Sequence, residues 1–453
     1  MFSVEEIVKA TGGILIQGDR NDKICGISTD SRKLKPFEAF LALRGNNFDG
    51  HDFIEESLKS KISCVIVERI PENSIPSGIA VIKVKNTTLA LGDIARSRRQ
   101  KFNLPVIAVT GSNGKTTTKD MIAWILSSNA QVLKNEGTKN NQIGLPQTLL
   151  QLTEKDNFAV VEIGTNHFGE VDYLAKIAKP NIGLITNIGQ SHLEFLNNLR
   201  GVLKEKLSLL DNLAKPALAI LNADDKLLKG IITQSNKGEH VFSYGINEKA
   251  DFCASAIKLK GGKLEFKVNR KFDFALSTLG YYNTYNALGA ISAGRILGLS
   301  YPEISCRLDV FKFPEGRLNL VEFKGLRFID DTYNSNPFSL KAALTAMDAA
   351  RCKGNKILIM GDMLELGRQK ELLHKQIARS ITNTCDLLVA VGGLARLTAQ
   401  SAQKSGFKNK NIFCCDSAEE ARGLLFNKIS PTARDIILVK GSRSMKMEEI
   451  FKI

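Results

Sequence analysis

Residues 106–121 read VIAVTGSNGKTTTKDM and contain the pattern that decides the fold of this chain. An apolar run rich in β-branched residues stops at Gly111, and a helical pattern of apolar residues begins soon afterwards. Between them lie Gly114, Lys115 and Thr116. Backbone N–H groups in a glycine turn at a helix N-terminus can surround a polyphosphate. A lysine there reaches the terminal phosphates and a hydroxyl binds the accompanying Mg²⁺, so the stretch predicts a strand, a phosphate-binding turn and a helix.

The predicted loop is shorter than a Walker A sequence, G-x-x-x-x-G-K-[ST]. Val109 stands where that pattern has its first glycine, and the loop here is G-x-x-G-K-T. The alternative is an ordinary β–α turn whose Lys115 points into solvent. We predict phosphate binding because a strand and a helix flank the loop. The predicted contacts are Gly111, Ser112, Asn113, Gly114, Lys115, Thr116 and Thr117.

The composition is that of a chain with several globular domains. At 453 residues the chain is too long for one ordinary hydrophobic core, and 43% hydrophobic with 24% charged residues is typical of globular proteins. No apolar run approaches the ~20 residues that span a bilayer. The first ten residues, MFSVEEIVKA, carry two glutamates where a secretory signal would be basic and then apolar. The eight cysteines form no CxxC pair, so we expect reduced thiols and a cytoplasmic location.

The net charge of +15 is compatible with nucleic-acid binding, but the distribution of the charges argues against that function. The 62 lysines and arginines are scattered, and the densest group, RSRRQK at 96–101, falls on a predicted exposed helix face. Nucleic-acid-binding proteins concentrate basic residues in one patch or stripe. A protein that handles highly anionic small molecules carries the same sign of charge. We therefore predict no nucleic-acid partner.

Three regions differ in their pattern of strands and helices. Residues 1–85 contain short alternating segments, and residues 86–313 alternate strands and helices around the phosphate loop. Residues 314–453 resume the alternation, and a hairpin is predicted at 257–276. Such alternation predicts mostly parallel sheets covered by helices, with ligands beyond the carboxyl ends of the strands. We predict an α/β chain with three domains: a small mixed α/β domain, a central P-loop ATPase-type sheet and a Rossmann-like C-terminal domain.

Polar residues beyond the loop lie at the ends of predicted strands or on one helix face. Glu162 ends the strand AVVE, where a carboxylate can join Thr116 on Mg²⁺. His192 follows the next strand, although a lone loop histidine is more often structural than a ligand. Asn283 and Asn286 are three residues apart and share a helix face. The same set includes Lys206, Arg317 and Asp331.

Seven motifs in a fixed order make the chain similar to a known family. They are GSNGKTT, NEGTKNNQIGLP, VEIGTN, TNIGQSHLE, N-x-x-N-A, EGRLN and DDTYNSNP. The chain resembles the Mur ligases, ATP-dependent amide-forming enzymes of bacterial cell-wall synthesis. DDTYNSNP (330–337) and GDMLELG (361–367) are similar to the members that add D-alanyl-D-alanine to UDP-N-acetylmuramoyl-tripeptide. STDSRK (28–33) and RGNNFDGHDFI (44–54) are similar to the UDP-binding domain of those members.

The resemblance implies a reaction and a set of catalytic residues. ATP would phosphorylate the terminal carboxylate of the tripeptide, and the amine of D-alanyl-D-alanine would attack the acyl phosphate. Lys115 and two Mg²⁺ ions would neutralise the anions brought together. Thr116 and Glu162 would hold one ion; Glu162, His192 and Lys206 would serve the second. Lys206 would act as a carbamate, because an ammonium cannot ligate Mg²⁺ whereas carbamate oxygens suit a hard cation.

The resemblance also implies ligand contacts along the chain. Asp331 would bind the ribose hydroxyls of ATP and Arg317 its phosphates. Asn283 and Asn286 would complete the nucleotide site. The candidates for the UDP-sugar are Ser28, Asp30, Ser31, Arg32 and Asp49. The candidates for the muramoyl peptide are Thr138, Asn140 and Asn141, and those for the incoming dipeptide are Asn334, Asn336 and Asp362.

Two positions depart from the family pattern. Tyr282 stands where the family usually has histidine, which affects one nucleotide contact. Leu207 and Ser208 follow Lys206 where most members have Gly-Glu, so a supporting partner is missing from its usual place. Lys204 is a second lysine on the same predicted helix, and without the family resemblance an exposed helix lysine is the simpler interpretation of Lys206.

Two close alternatives share the ATP machinery. One is a sister ligase that adds a single amino acid to UDP-N-acetylmuramoyl-dipeptide, and DDTYNSNP argues against it. The other is a folylpolyglutamate-type synthetase, and the N-terminal UDP-binding motifs argue against it. We expect a monomer, and the sequence leaves open whether the third residue of the tripeptide is meso-diaminopimelate or lysine.

Overall fold

The computed structural model describes residues 1–45, 48–70, 74–234, 240–260 and 262–451. Asn46 and Asn47 of the 44–54 motif lie outside the described residues, as does Gly261 of the predicted hairpin. Within the described part of the chain, no helix is both long enough and apolar enough to cross a bilayer.

The N-terminal region folds around a small, mostly parallel sheet. Its elements are β1 (Phe2–Ser3), α1 (Val4–Thr11), β2 (Ile14–Gln17), β3 (Lys23–Ile24), β4 (Ile27–Ser28), β5 (Ala39–Leu41), α2 (Ile54–Leu58), β6 (Cys64–Val67) and β7 (Ala80–Lys83). The sheet order is β2-β7-β6-β5-β4, with β2 antiparallel at one edge. Helix α1 begins with a capping box between Ser3 and Glu6 and ends at Gly12 in the left-handed conformation.

The central region is built on a larger sheet with the phosphate loop near its middle. Its first elements are α3 (Thr87–Gln100), β8 (Val106–Thr110), α4 (Lys115–Leu126), β9 (Val132–Lys134), α5 (Gly144–Leu149), β10 (Phe158–Glu162), α6 (Glu170–Ala178), β11 (Ile182–Ile185), α7 (Leu193–Leu196) and α8 (Leu199–Asp211). They are followed by β12 (Leu218–Asn222), α9 (Lys226–Gln234), β13 (Val241–Gly245), β14 (Phe252–Lys260), β15 (Lys263–Val268), β16 (Phe272–Leu276), α10 (Asn283–Ile296) and α11 (Tyr301–Asp309).

The order of this sheet is β16-β15-β14-β13-β12-β11-β8-β10-β9. Strands β8 to β13 are parallel, and β8 is buried along its whole length between β11 and β10. The predicted hairpin at 257–276 is too short, because β14 begins at Phe252 and the antiparallel part has three strands. The first residues of β14 pair parallel to β13, so the strand belongs to both parts of the sheet.

The C-terminal region repeats the alternation in a third sheet. Its elements are β17 (Asn319–Phe323), β18 (Leu326–Asp331), α12 (Pro337–Ala349), β19 (Lys356–Gly361), α13 (Lys370–Thr384), β20 (Leu387–Val391), α14 (Gly393–Lys404), β21 (Ile412–Cys415), α15 (Ala418–Leu424) and β22 (Ile436–Lys440). The order is β17-β18-β22-β19-β20-β21, parallel except for the edge strand β17. The predicted α/β fold class is confirmed. Each sheet lies inside one of the three predicted ranges, and the boundaries at 85/86 and 313/314 stay a prediction.

One hydrophobic cluster joins the central and C-terminal regions. Leu193, Leu196 and Val202, from α7 and α8, are buried with Leu340 and Leu344 of α12. Farther along α8, Leu209 belongs to a cluster on the central sheet. Helix α8 therefore packs against both regions and sets their relative position.

We predict that Leu196→Ala destabilises the contact between these regions. The side chain is fully buried in the shared cluster, and a buried Leu→Ala change costs ~2–5 kcal/mol. Urea unfolding followed by intrinsic fluorescence should show a lower midpoint. The control is Leu199→Ala, three residues away with 39% of the residue exposed. Equal midpoints for the two variants would contradict the shared core.

Candidate active site

The phosphate loop forms a tight bend between β8 and α4. Gly111 has φ 143° and Gly114 has φ 81°, both values that disfavour residues with a side chain. A β carbon on Gly111 would lie 1.9 Å from Oγ1 of Thr186, and one on Gly114 would lie 2.2 Å from Oδ1 of Asn286. Helix α4 begins at Lys115. Its free N–H groups therefore face the bend, as an anion site requires.

Lys115 curls back over the bend that precedes it. Its Nζ donates to the carbonyl oxygen of Gly111 at 3.0 Å and to that of Ser112 at 3.5 Å. Burial lowers the pKa of Lys115, and the nearby carboxylate of Glu162 opposes that shift. The alternative of a solvent-directed lysine is therefore wrong.

A cavity of about 550 Å³ opens above the loop, and residues of the central and C-terminal regions form its wall. It brings together most of the predicted nucleotide and catalytic residues and four of the predicted substrate residues. These are Ser112, Asn113, Gly114, Lys115, Thr116, Thr117, Thr138, Asn140, Glu162, His192, Asn283, Asn286, Arg317, Asp331, Asn334 and Asn336. Gly111 lies beneath them in the bend.

Glu162 has one carboxylate oxygen engaged and one free. The side chain is 1% exposed, and Oε1 accepts a hydrogen bond from Nδ2 of Asn140 at 2.6 Å. Oε2 is buried and has no hydrogen-bond partner among the residues that the structure describes. A buried carboxylate oxygen that lacks a partner costs free energy unless a cation or donor satisfies it. Glu162 therefore suits a hard cation such as Mg²⁺.

The C-terminal region contacts the phosphate loop directly. Arg317 donates from Nη2 to the hydroxyl of Thr116 at 3.1 Å, and its guanidinium lies 3.9 Å from the ring centre of Tyr333. Asn336 donates from Nδ2 to Oδ1 of Asn113 at 2.8 Å. Through these contacts, the C-terminal region forms the part of the cavity wall next to the phosphate loop.

The two helix asparagines face the phosphate loop as a bonded pair. Asn286 donates to Oδ1 of Asn283 at 2.9 Å and accepts from Thr118 of α4 at 3.3 Å. Tyr282 lies beside them on the cavity wall, with its ring centre 5.1 Å from that of Phe338. The residue that departs from the family pattern thus lines the same cavity.

Lys206 is a buried lysine next to this cavity. It is 1% exposed, whereas Lys204 is exposed, so the helix register separates the two. Burial lowers the pKa of Lys206 well below its usual value, and Lys115 adds to the shift. Among the described residues none accepts a hydrogen bond from its amine. The adjacent Glu205 is committed elsewhere, since it accepts from the backbone N–H groups of Gly169 and Val171.

Asp331 is paired with a lysine that the sequence analysis did not assign. Nζ of Lys440, at the end of β22, donates to Oδ2 of Asp331 at 2.5 Å and to the carbonyl oxygen of Asn334 at 2.8 Å. Both partners are almost fully buried and line the cavity. The position of Lys440 at a strand end was the only signal in the sequence.

Glu365 is a second residue of the cavity wall that the sequence analysis missed. It lies in the GDMLELG motif, and its Oε2 is 2.9 Å from Nδ1 of His192. Within the described residues, no three His, Cys, Asp or Glu side chains lie close enough together to hold a metal. The predicted Mg²⁺ ligands therefore rely on Thr116 and a modified lysine as well.

Several predicted substrate residues lie away from this cavity. Asn141 borders a second cavity of about 570 Å³, which it shares with Thr138. Asp362 accepts from the backbone N–H of Ala395 near the start of α14 at 2.7 Å, so the structure gives it a role in holding that helix. The UDP-sugar candidates, all in the N-terminal region, are Ser28, Asp30, Ser31, Arg32 and Asp49. Gln147, on the wall of the second cavity, donates to Thr29 at 2.6 Å and links the two regions.

Family comparisons cover almost the whole chain. The family model of the Mur ligase family catalytic domain matches residues 23–99, that of the Mur ligase middle domain 109–294, and that of the Mur ligase glutamate ligase domain 316–443. The UDP-N-acetylmuramoyl-tripeptide–D-alanyl-D-alanine ligase of Bacillus subtilis is 34% identical over 99% of this chain and 97% of its own length. The chain belongs to the Mur ligase family.

Other Mur ligases agree with this assignment. The Escherichia coli ligase of the same name is 33% identical over 94% of this chain and 92% of its own. A crystal structure of MurF from Acinetobacter baumannii has a TM-score of 0.89, 32% identity and coverage of 99% and 97%. MurF from Thermotoga maritima in complex with ADP has a TM-score of 0.82, 27% identity and coverage of 94% and 96%. The predicted family is confirmed; the roles of individual site residues stay predictions.

We predict that Gly111→Ala weakens ADP binding by about tenfold or more. The backbone conformation alone costs a residue with a side chain ~1–3 kcal/mol, and 1.4 kcal/mol is about tenfold in affinity. Isothermal titration calorimetry measures the change. The control is Gly230→Ala, since a β carbon there meets nothing within 4 Å. Unchanged ADP affinity in Gly111→Ala would contradict the bend as the phosphate site.

Proposed function

We propose that this chain is the ATP-dependent ligase that joins D-alanyl-D-alanine to UDP-N-acetylmuramoyl-tripeptide. The reaction passes through an acyl phosphate and makes the pentapeptide precursor of peptidoglycan. The observation that carries the proposal is the match to ligases of that name over nearly the full length of both chains. A phosphate loop at the base of a cavity between two regions is the matching geometry.

The chemistry demands that the site neutralise charge. Transfer of the γ-phosphoryl group to a carboxylate brings two anions together, and catalysis of such transfers depends on positioning and electrostatics. Lys115 and the N–H groups at the start of α4 would face the phosphates of bound ATP. Arg317 reaches the same place from the C-terminal region, where it contacts Thr116. The amine of the incoming dipeptide is itself the nucleophile, so the enzyme does not need to form a covalent intermediate.

The donor set fits Mg²⁺, and we infer two ions. Thr116 and Glu162 would hold the ion on the ATP phosphates. Glu162, His192 and Lys206 would hold the ion near the acyl phosphate, and the unpartnered Oε2 of Glu162 supports this. When bound, Mg²⁺ neutralises phosphate oxygens and polarises the group under attack.

We infer that Lys206 acts as a carbamate. A charged ammonium buried without a hydrogen-bond partner is costly, and addition of CO₂ to the neutral amine replaces it with two oxygens that suit Mg²⁺. The neighbouring Lys115 offers a compensating positive charge. Glu205 is held by backbone N–H groups and is therefore unavailable as the carboxylate in its place.

The N-terminal region would bind the UDP end of the precursor. The second cavity lies where Gln147 meets Thr29, which supports a path from this region toward the ATP cavity. Thr138 borders both cavities and would contact the peptide between them. Because ATP and UDP-linked precursors are soluble nucleotides, we infer a cytoplasmic location, and we infer a monomer.

The substrate assignment predicts which amine stimulates the cleavage of ATP to ADP and phosphate. With ATP, Mg²⁺ and UDP-N-acetylmuramoyl-tripeptide, addition of D-alanyl-D-alanine should release one phosphate per amide bond formed. Single amino acids with the dipeptide precursor test the sister-ligase alternative, and folate substrates and polynucleotides serve as further controls. Phosphate release and mass spectrometry of the product are the measurements. Turnover with a single amino acid that exceeds turnover with D-alanyl-D-alanine would overturn the assignment.

We predict that Lys206→Ala lowers turnover by about 10²-fold or more, the usual loss when a group that stabilises charge in the transition state is removed. Formate or acetate should partly restore the rate because a small carboxylate can occupy the place of the carbamate. The control is Lys204→Ala, whose side chain is exposed on the same helix. A fully active Lys206→Ala variant, or one that no small acid rescues, would count against the carbamate.

A further inference from the structure

Two residues with strained backbones meet at the cavity wall. His192 has φ 52° and Glu365 has φ 63°, so both adopt the left-handed conformation. For a residue with a side chain this conformation costs ~1–2 kcal/mol. Such strain persists only where surrounding contacts impose it, and it concentrates at functional sites. The distance between Nδ1 of His192 and Oε2 of Glu365 is 2.9 Å.

The loop that carries Glu365 is held firmly on both sides. The backbone N–H of Met363 donates to Nε2 of the buried His374 at 3.0 Å. The N–H of Leu364 donates to the hydroxyl of Ser442 at 2.8 Å. Gly367 lies so close to the backbone of Glu194 that a β carbon would be 2.9 Å from it. The loop therefore presents Glu365 to His192 at a fixed place.

The other carboxylates of the cavity wall have different partners. Asp224 accepts from three backbone N–H groups and from Tyr285, and Asp225 also accepts from backbone N–H groups. Asp331 is paired with Lys440 and Glu162 with Asn140. Within the described residues, Glu365 is the carboxylate that meets the ring of His192.

We propose that Glu365 is a positioning residue that accepts a hydrogen bond from Nδ1–H of His192 and leaves Nε2 free to bind Mg²⁺. A neutral imidazole carries one proton, and an acceptor at one nitrogen fixes the tautomer and the ring orientation. The 2.9 Å separation is within hydrogen-bonding distance, although Nδ1 has no well-aligned hydrogen bond among the described residues. Contacts of this kind tighten when the ligands of an active site bind.

The arrangement couples the metal site to the contact between two regions. His192 belongs to the central region and Glu365 to the C-terminal region, so the histidine is oriented only while the two are packed together. This inference rests on the proposed function, because Mg²⁺ is the ion that His192 would bind. Glu365 itself is not one of the predicted Mg²⁺ ligands.

The test follows the ring nitrogens of His192 by ¹⁵N NMR in protein labelled at histidine, with ADP present and Mg²⁺ titrated. His192→Gln identifies the signals. In the unchanged protein we expect Nδ1 protonated and Nε2 shifted by Mg²⁺. Glu365→Ala should need 10–100-fold more Mg²⁺ for the same shift, the usual effect of losing such a partner. Glu365→Gly removes the carboxylate without backbone strain and should behave alike.

The control is Glu371→Ala, an exposed glutamate of α13 whose side chain contacts Lys375. It should leave the Mg²⁺ dependence within about twofold. An Nε2-protonated tautomer in the unchanged protein would overturn the inference, as would Glu365 variants that titrate normally. If ligase activity is present in that case, only the role of Glu365 fails. If the unchanged protein makes no amide bond, the proposed function fails instead.

Discussion

The tight packing of the 111–114 bend determines where the rest of the site can lie. Gly111 and Gly114 leave no space for a β carbon against Thr186 and Asn286. The bend therefore lies between Thr186, which directly follows β11, and helix α10. The N–H groups of Ser112 and Asn113 donate to Asn187, which leaves those at the start of α4 for an anion. The proposed reaction brings two anions together at this point. A site that neutralises charge there can activate a carboxylate without supplying a nucleophile.

The central region builds only part of the cavity, and the C-terminal region completes it. Arg317 and Asn336 bond to the loop, and Glu365 meets His192. Helix α8, which carries Lys206, packs into the hydrophobic clusters of both regions. In the proposed mechanism, contact between the two regions brings the predicted catalytic groups together, as domain closure does in other enzymes.

Local sequence was sufficient to predict the elements that have a local cause. The strand, bend and helix at 106–121 follow from the side-chain pattern and the positions of the glycines. The rule that ligands bind beyond the carboxyl ends of parallel strands predicted which polar residues would lie together. Pairings between distant segments lacked such a signal, so the Lys440–Asp331 and Glu365–His192 contacts emerged only from the fold. Asp362 shows the converse: a carboxylate at a strand end can serve a helix N-terminus as well as a ligand, and the sequence does not distinguish them.

The most direct measurement of the central claim follows an oxygen atom. When the terminal carboxylate of UDP-N-acetylmuramoyl-tripeptide is labelled with ¹⁸O, phosphorylation of that carboxylate places one label in the bridging position of the acyl phosphate. Attack by the amine of D-alanyl-D-alanine then releases that oxygen with the phosphate. The account predicts phosphate that carries one ¹⁸O atom for every labelled amide formed. Unlabelled phosphate, or label found in the nucleotide, would contradict it.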